Sequence, residues 1–232
     1  MTLSRLALLI ALLPAAAEAG AWARDPGGTF IALSTERDGD GNRYDGLYAE
    51  YGLRERLTLG AEIGHSDGVQ TSALVWMQRS LDDGQGVHRL SLASGAGAIR
   101  RDGQWLPLAQ VALSWGRGLD RPNGGWVTVQ AQLRVAGKPV DPALPASEAQ
   151  AALLTPDFVW KTDATLGLGL PWGLTLVQDL RLEDRPDLDF SAKYAPSLVA
   201  DVPGPLRLQL GVVQPLTGPG EAAIRLGSWI EF

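Results

Sequence analysis

Hydrophobic and polar residues alternate along most of the chain with a period of two. One segment carries apolar residues at every second position and polar residues between them: Val127, Thr128, Val129, Gln130, Ala131, Gln132, Leu133, Arg134 and Val135. The same pattern recurs at 57–63, 160–170, 206–212 and 222–232. Because successive side chains of a strand point to opposite faces, the pattern predicts strands with one apolar and one polar face.

Clusters of Gly, Pro, Asn and Asp separate these segments, as in 38–42, 82–86, 120–125 and 217–220. Such residues supply the backbone conformations that tight reversals need. The chain is therefore predicted to be all-β, with about twelve strands at 28–37, 43–53, 57–66, 69–81, 87–100, 104–118, 124–136, 157–170, 173–184, 187–200, 205–216 and 221–232. Segments 69–81, 87–100 and 187–200 alternate poorly, so ten or fourteen strands also fit.

The first 19 residues have the pattern of a secretory signal peptide. Arg5 gives a positive start, Leu6 to Ala17 form an apolar run, and Ala17-Glu18-Ala19 is a small-x-small cleavage site. The apolar run is about a dozen residues, whereas a spanning helix needs about 20. We therefore expect cleavage near Ala19, export, and a single domain over 20–232.

Composition narrows the classes of function. The chain has 232 residues, no cysteine, and 26 Asp+Glu against 20 Lys+Arg, for a formal net charge of -6. A disulfide scaffold, a Cys-ligated zinc site and a thiol enzyme all require cysteine. Nucleic-acid binding is not expected from an acidic chain, and the sequence carries no motif for a phosphate, dinucleotide or haem cofactor.

Two folds accept this strand pattern. A soluble barrel or sandwich turns its apolar face inward, and a membrane barrel turns it toward lipid. The chain ends in GSWIEF, with Gly227, Ile230 and the terminal Phe232 at spaced positions of the last strand. This ending resembles the assembly signal of Gram-negative outer-membrane β-barrel proteins. The resemblance implies a transmembrane antiparallel up-and-down β-barrel, contact with outer-membrane lipid, and recognition of the last strand by the barrel assembly machinery.

Segment 50–63, EYGLRERLTLGAEI, is similar to a strand–turn–strand element of uncharacterised outer-membrane transporter-like families, including the phenol-degradation type. No substrate follows from this similarity.

Connection lengths and aromatic positions favour the membrane barrel. If both termini are periplasmic, the longest connection, 137–156, is extracellular and the tight turn Pro171-Trp172-Gly173 is periplasmic, as expected for such barrels. Aromatic side chains prefer the membrane–water interface. We expect two aromatic girdles from residues near the strand ends: Trp22, Trp105, Trp115, Trp126, Trp160, Trp172, Phe158, Phe190 and Phe232.

The polar face of a membrane barrel would line its lumen with both signs of charge. The candidate lumen and selectivity residues are Glu50, Glu62, Arg134, Lys161, Asp163, Asp179, Arg181, Lys193, Arg207 and Arg225, with Glu231 on the same face. Opposed charges lining a narrow pore would orient a small polar solute. The same charges are equally compatible with a closed barrel in which they pair and fill the lumen.

Catalysis and metal binding are weaker interpretations. His65 is followed at once by Ser66, and adjacent strand residues point to opposite faces, so a His–Ser dyad is not expected. The second histidine, His88, is placed at a periplasmic strand start without an obvious partner. The run 38–42, DGDGN, resembles a calcium loop, but Arg43 and Ala49 stand where such a loop requires Gly and Glu, which favours a hairpin turn.

The sequence thus predicts an outer-membrane pore or transporter for small polar solutes, and not an enzyme. The alternatives are a closed barrel with a structural or surface-binding role through 137–156, a lipid-modifying enzyme that uses His65, and a soluble periplasmic barrel for an apolar ligand.

Overall fold

The protein is a closed antiparallel β-barrel. The computed structural model describes residues 20–66, 70–101, 103–138, 157–185 and 188–232. The twelve strands in this part of the chain are β1 (Thr29–Asp38), β2 (Arg43–Arg54), β3 (Leu57–Ser66), β4 (Gln70–Ser80), β5 (His88–Arg101), β6 (Gln104–Gly118), β7 (Gly125–Ala136), β8 (Asp157–Leu170), β9 (Leu174–Arg185), β10 (Leu188–Asp201), β11 (Leu206–Thr217) and β12 (Ala223–Glu231). The prediction of twelve strands is confirmed, with each boundary within two residues.

Each strand pairs with the strands before and after it in the chain, and β1 pairs with β12 to close the sheet. At the ends of these two strands, the backbone N–H and C=O of Thr29 and Phe232 exchange hydrogen bonds of 2.7 and 3.0 Å. The fold is therefore the predicted up-and-down barrel, with the start of β1 and the end of β12 at one mouth. We call this the terminal mouth and the opposite one the far mouth.

Strand β4 shows how the two faces of the sheet differ. Leu74, Trp76 and Gln78 are buried, whereas Val75 and Met77 between them are 53% and 48% exposed. The same alternation leaves many large apolar side chains exposed around the outside of the barrel, among them Leu59, Leu113, Leu210 and Ile224. An exposed band of this kind is expected where the surrounding medium is lipid.

The expected aromatic girdles are found in part. Trp105 and Trp160 are exposed near the far mouth, and Trp172 and Phe232 are exposed near the terminal mouth. Trp126 was placed in a girdle wrongly. It is on the inner face of β7, is 5% exposed and packs with Val177 and Val199.

Trp22 was also placed in a girdle wrongly. It packs against the Trp126 cluster inside the barrel. Trp126 occupies the inner face because of its parity in β7, whereas Trp22 precedes β1 and enters the lumen with the residues before that strand.

The structure describes only some of the connections that the sequence analysis singled out. Pro171–Gly173 forms a single 3₁₀ turn between β8 and β9, with Trp172 in the left-handed region at φ 66°. Of the long connection 137–156, only residues 137 and 138 belong to the described part, and the signal segment 1–19 lies outside it. In the described part of the chain, no helix has the length and apolar character to span a membrane.

The apolar outer face predicts how much a charge placed on it lowers the stability of the barrel. Val75→Arg places a cation at the middle of β4 on the apolar outer face, and it should lower the free energy of unfolding in lipid vesicles by about 2–4 kcal/mol. The matched control, Leu81→Arg, follows the end of β4 and should cost only about 0–1 kcal/mol. Urea unfolding in vesicles measures both, and equal costs would contradict a lipid-facing band.

Candidate functional site: the barrel lumen

Ion pairs between strands that are not neighbours identify the inside of the barrel. Arg134 on β7 and Glu62 on β3 approach to 2.6 Å, and Arg181 on β9 and Glu36 on β1 to 3.0 Å. In a closed sheet whose neighbours are consecutive in the chain, such contacts can run only through the interior. The polar set of each of these strands therefore faces the lumen.

One side of the lumen is charged, and we call it the charged wall. Its members are Glu36, Glu62, Arg134, Lys161, Asp163, Asp179, Arg181, Glu183 and Arg225. Arg225 lies 3.3 Å from Asp179 and 3.8 Å from Glu36, so it joins the Arg181–Glu36 pair in one network. The four charges of this network sum to zero, whereas the nine residues of the charged wall comprise five carboxylates and four cations. Charges of both signs at such short distances present a strong local field inside the lumen.

The opposite side is apolar, and we call it the apolar wall. It consists of eight buried residues on β4 to β7, with Tyr48 of β2 packed against them: Leu74, Trp76, Ala93, Ile99, Leu106, Leu108, Ala112 and Ala136. The sequence did not predict this wall, because inward apolar residues remove the alternation on which the assignment of faces depends. It accounts for the poor alternation of segments 69–81 and 87–100.

The terminal mouth is occupied by residues 20–28, which we call the N-terminal segment. The segment contacts inner-face residues all round the barrel. Ala21 in this segment is fully buried. Trp22 packs against the cluster of Trp126, Val177 and Val199, which belong to β7, β9 and β10. The segment therefore lies inside the lumen and does not continue the barrel wall.

Side chains from three strands bind the backbone of the segment. Ser91 donates to the carbonyl of Gly20 at 2.8 Å, and Gln78 donates to the carbonyl of Trp22 at 3.2 Å. The N–H of Arg24 donates to the hydroxyl of Thr58 at 2.9 Å. These bonds satisfy backbone groups that no sheet partner serves, as buried polar groups require.

The Arg24 side chain makes the strongest contact of the segment. Its Nε lies 2.6 Å from Oε2 of Glu50 and its Nη1 lies 2.8 Å from Oε1 of Glu231. The guanidinium carbon stands 4.5 Å from the centre of the Phe30 ring. The Arg24 and Glu50 side chains are only 9% and 0% exposed. Removing one partner of such a pair leaves an uncompensated buried charge, which costs about 3–5 kcal/mol.

Two glycines of the barrel wall make room for the segment. A Cβ at Gly116 would lie 2.4 Å from the Trp22 ring and 2.7 Å from the Cβ of Ala21. A Cβ at Gly52 would lie 1.9 Å from the carbonyl oxygen of Asp25. The wall and the segment are therefore complementary in shape at both places.

All ten candidate lumen residues lie on the inner-face parity of their strands, but the structure does not bring them into one group. Seven of them belong to the charged wall: Glu62, Arg134, Lys161, Asp163, Asp179, Arg181 and Arg225. Lys193 on β10 lies opposite Arg181. The other two are at the terminal mouth, where Glu50 binds Arg24 and Arg207 binds Asp201 at 3.0 Å. Their role in selectivity stays a prediction.

The sequence analysis did not place Glu36, Glu183, Arg24 or Trp22 in the lumen. Glu36 and Glu183 occupy the polar parity of β1 and β9, so the alternation rule could have found them. Arg24 and Trp22 precede the first strand, and no sequence signal places a segment outside the strands within the lumen.

The two histidines lie at opposite ends of the barrel, His65 near the far mouth and His88 near the terminal mouth. Ser66 has the inner-face parity of β3, whereas His65 is exposed on the outer face, where its Nδ1 lies 2.9 Å from the Thr71 hydroxyl. His65 and Ser66 thus point apart, as expected for adjacent strand residues. His88 begins β5 and stacks on Trp115 with the ring centres 5.7 Å apart, a partner that the sequence did not reveal.

The turn at 38–42 is a hydrogen-bonded hairpin. Both carboxylate oxygens of Asp38 accept hydrogen bonds from Asn42, one from the backbone N–H at 2.8 Å and one from the side-chain amide at 2.9 Å. Within the described ranges, no three His, Cys, Asp or Glu side chains gather as they would for a metal ion.

The residues of the expected assembly signal lie in the closing strand. Ile230 pairs with Ile31 of β1 on the outer face, Gly227 pairs with Ser34, and the Phe232 side chain is exposed. Their recognition by the assembly machinery stays a prediction.

Comparisons with known proteins address the fold. No protein-family model matches the sequence, and no curated protein matches it. Among solved structures, the chain is similar to the NanC porin, with a TM-score of 0.61, 10% identity and coverage of 87% of this chain and 100% of that one. It is also similar to the KdgM porin, with a TM-score of 0.59, 10% identity and coverage of 88% of this chain and 99% of that one. A third similar structure is an outer-membrane channel from Pseudomonas putida F1, with a TM-score of 0.57, 12% identity and coverage of 93% of this chain and 99% of that one. At such identities the likeness shows the fold, and the fold of this chain is that of outer-membrane β-barrels.

Proposed function

We propose that the protein resides in the outer membrane and passes small polar solutes through its lumen along the charged wall. The charged wall faces the lumen and presents both signs of charge to a solute that enters from the far mouth. Solutes with separated partial charges would be oriented by that field, as in pores with opposed charges.

One observation carries this proposal. The cross-lumen pair of Arg134 and Glu62 joins β7 to β3, which are not neighbours in the sheet, and both side chains are partly exposed, at 17% and 24%. Charged groups that keep contact with solvent inside a barrel indicate a hydrated path. The two porins and the outer-membrane channel among the similar structures support this assignment.

The apolar outer face supports an outer-membrane location. The exposed apolar band would contact lipid, and a signal peptide cleaved near Ala19 would deliver the chain across the inner membrane. Gly227, Ile230 and Phe232 would then present the last strand to the assembly machinery.

A closed barrel with a structural or surface-binding role is the second candidate. The N-terminal segment fills the terminal mouth, and this observation favours it. The two candidates differ in whether the segment leaves the lumen, because a pore requires at least its partial displacement.

The Arg134–Glu62 pair allows a test of the charged wall. Glu62→Gln should shift the reversal potential in planar bilayers toward anions, because it leaves the Arg134 charge uncompensated. Arg134→Gln should shift it toward cations by the converse argument. The double exchange Glu62→Arg with Arg134→Glu should restore the selectivity of the parent chain.

Arg79→Gln is the matched control. Arg79 has the outer-face parity of β4 and is exposed, so its replacement should leave the reversal potential unchanged. If neither the parent nor any lumen variant gives discrete conductance while all show the heat-modifiable band of a folded barrel, the closed barrel is correct.

A further inference from the structure

A cation site lies in the barrel wall at the terminal mouth. Its parts are the carboxylates of Glu50 and Glu231, the ring of Phe30, and the Tyr48 hydroxyl, which donates to Glu50. These residues belong to β2, β12 and β1, so the barrel strands supply every group of the site and the N-terminal segment supplies only its occupant. Two carboxylates beside an aromatic face are the groups that bind a guanidinium or ammonium ion.

The ring that faces the cation is fixed by its neighbours. Phe30 contacts Tyr48 and Trp229 edge to face, with centres 6.3 and 6.2 Å apart. With the segment in place, Phe30 is 4% exposed and Glu50 is 2% exposed. The occupied site is therefore shielded from water, which strengthens its interaction with a cation.

Arg24 fills this site incompletely. Its Nη2 and the Oε2 of Glu231 are both buried, and neither has a hydrogen-bond partner in the described part of the chain. A cation with a different arrangement of donors can reach the second oxygen of Glu231. The Oε2 of Glu231 can thus accept a hydrogen bond that the Arg24 side chain does not donate.

We propose that Arg24 is a tethered occupant of this cation site, and that a solute bearing a guanidinium group displaces it and opens the terminal mouth. The ligand class is a small organic cation with several N–H donors. This inference rests on the proposed function, since it names the solute that would release the segment from the pore.

Electrostatics couples release of the segment to binding of the solute. If Arg24 leaves alone, Glu50 stays buried without a counter-charge, which is strongly unfavourable. If another guanidinium takes its place, the carboxylates remain paired and only the contacts of Trp22 and the backbone are lost. The segment is therefore held until a suitable cation arrives.

The tether sets the concentration that a competitor needs. Gly27 and Gly28 are hydrogen-bonded to Gly52 of β2, so only residues 25 and 26 separate Arg24 from a fixed point. Short tethers give effective concentrations in the millimolar range or above. A free guanidinium ion should thus compete at about tens of millimolar, far below denaturing concentrations.

The test uses the absence of cysteine from the natural chain. Ala21 is part of the segment and is fully buried inside the barrel, so Ala21→Cys in the refolded protein should react slowly with an anionic methanethiosulfonate reagent while the segment stays in place. Addition of about 50 mM methylguanidinium should raise the labelling rate at least about tenfold, as when the open fraction rises from about 1% to about 10%. Ala23→Cys is the substitute position if Ala21→Cys does not fold.

Two controls isolate the cation site. Methylurea has a similar shape without the charge, and at the same concentration and ionic strength it should leave the rate unchanged. In a chain that also carries Arg24→Gln and Glu50→Gln, the buried charges are removed together, so labelling should be faster at rest and should not respond to methylguanidinium. An equal effect of methylurea, or a response that persists in this variant, would overturn the proposal.

The labelling test is independent of conductance. If labelling responds to methylguanidinium but no variant conducts, the cation site stands and the pore function fails. If the protein conducts but labelling does not respond, the pore stands and the displacement of Arg24 is wrong.

Discussion

The structure depends on the closure of its backbone hydrogen-bond ladder. In lipid, an N–H or C=O group has no partner outside the protein, so a spanning sheet must close on itself. Here β1 and β12 complete the ladder, and the Thr29–Phe232 bonds extend the closure to the last residue. A closed sheet has an outer face and an inner face, and the period of two assigns each side chain to one of them.

Closure of the sheet also constrains how the side chains inside the barrel pair and pack. The inner face carries charged groups of both signs, and some of them form pairs across the lumen, as Arg134 does with Glu62. On the other side of the lumen, Leu74 and Trp76 are packed as in a soluble core. The N-terminal segment adds Arg24, the counter-charge that the buried Glu50 requires. The segment therefore belongs to the stability of the barrel as well as to the closure of its mouth.

The sequence predicted the barrel well in strands that have one apolar face and one polar face. In β7, β8 and β11 the outer face is largely apolar and the inner face largely polar, so alternation gave both the strand and the division of its residues between two faces. In β4 and β5 the inner face is itself apolar or small, and the pattern fades although the strands are regular. The terminal Phe232 and the alternation together gave the fold class that the structure confirms.

The lumen was predicted only in part, for a physical reason. Parity in a strand gives the face of a residue but not its partner, so Glu50 and Glu62 looked alike in the sequence. One binds a segment from outside the sheet and the other pairs across the lumen. The contact of Trp22 with Trp126 joins residues about a hundred positions apart and depends on the barrel closing first.

The proposed pore is closed at its terminal mouth by its own N-terminal segment. Single-channel conductance should be recorded for the chain that begins at Gly20 and for the same chain lacking residues 20–26. We expect discrete conductance that is several times larger in the shortened chain, because the lumen loses residues that fill it. Equal conductance in two folded proteins, or no conductance in either, would rule out a pore that this segment closes.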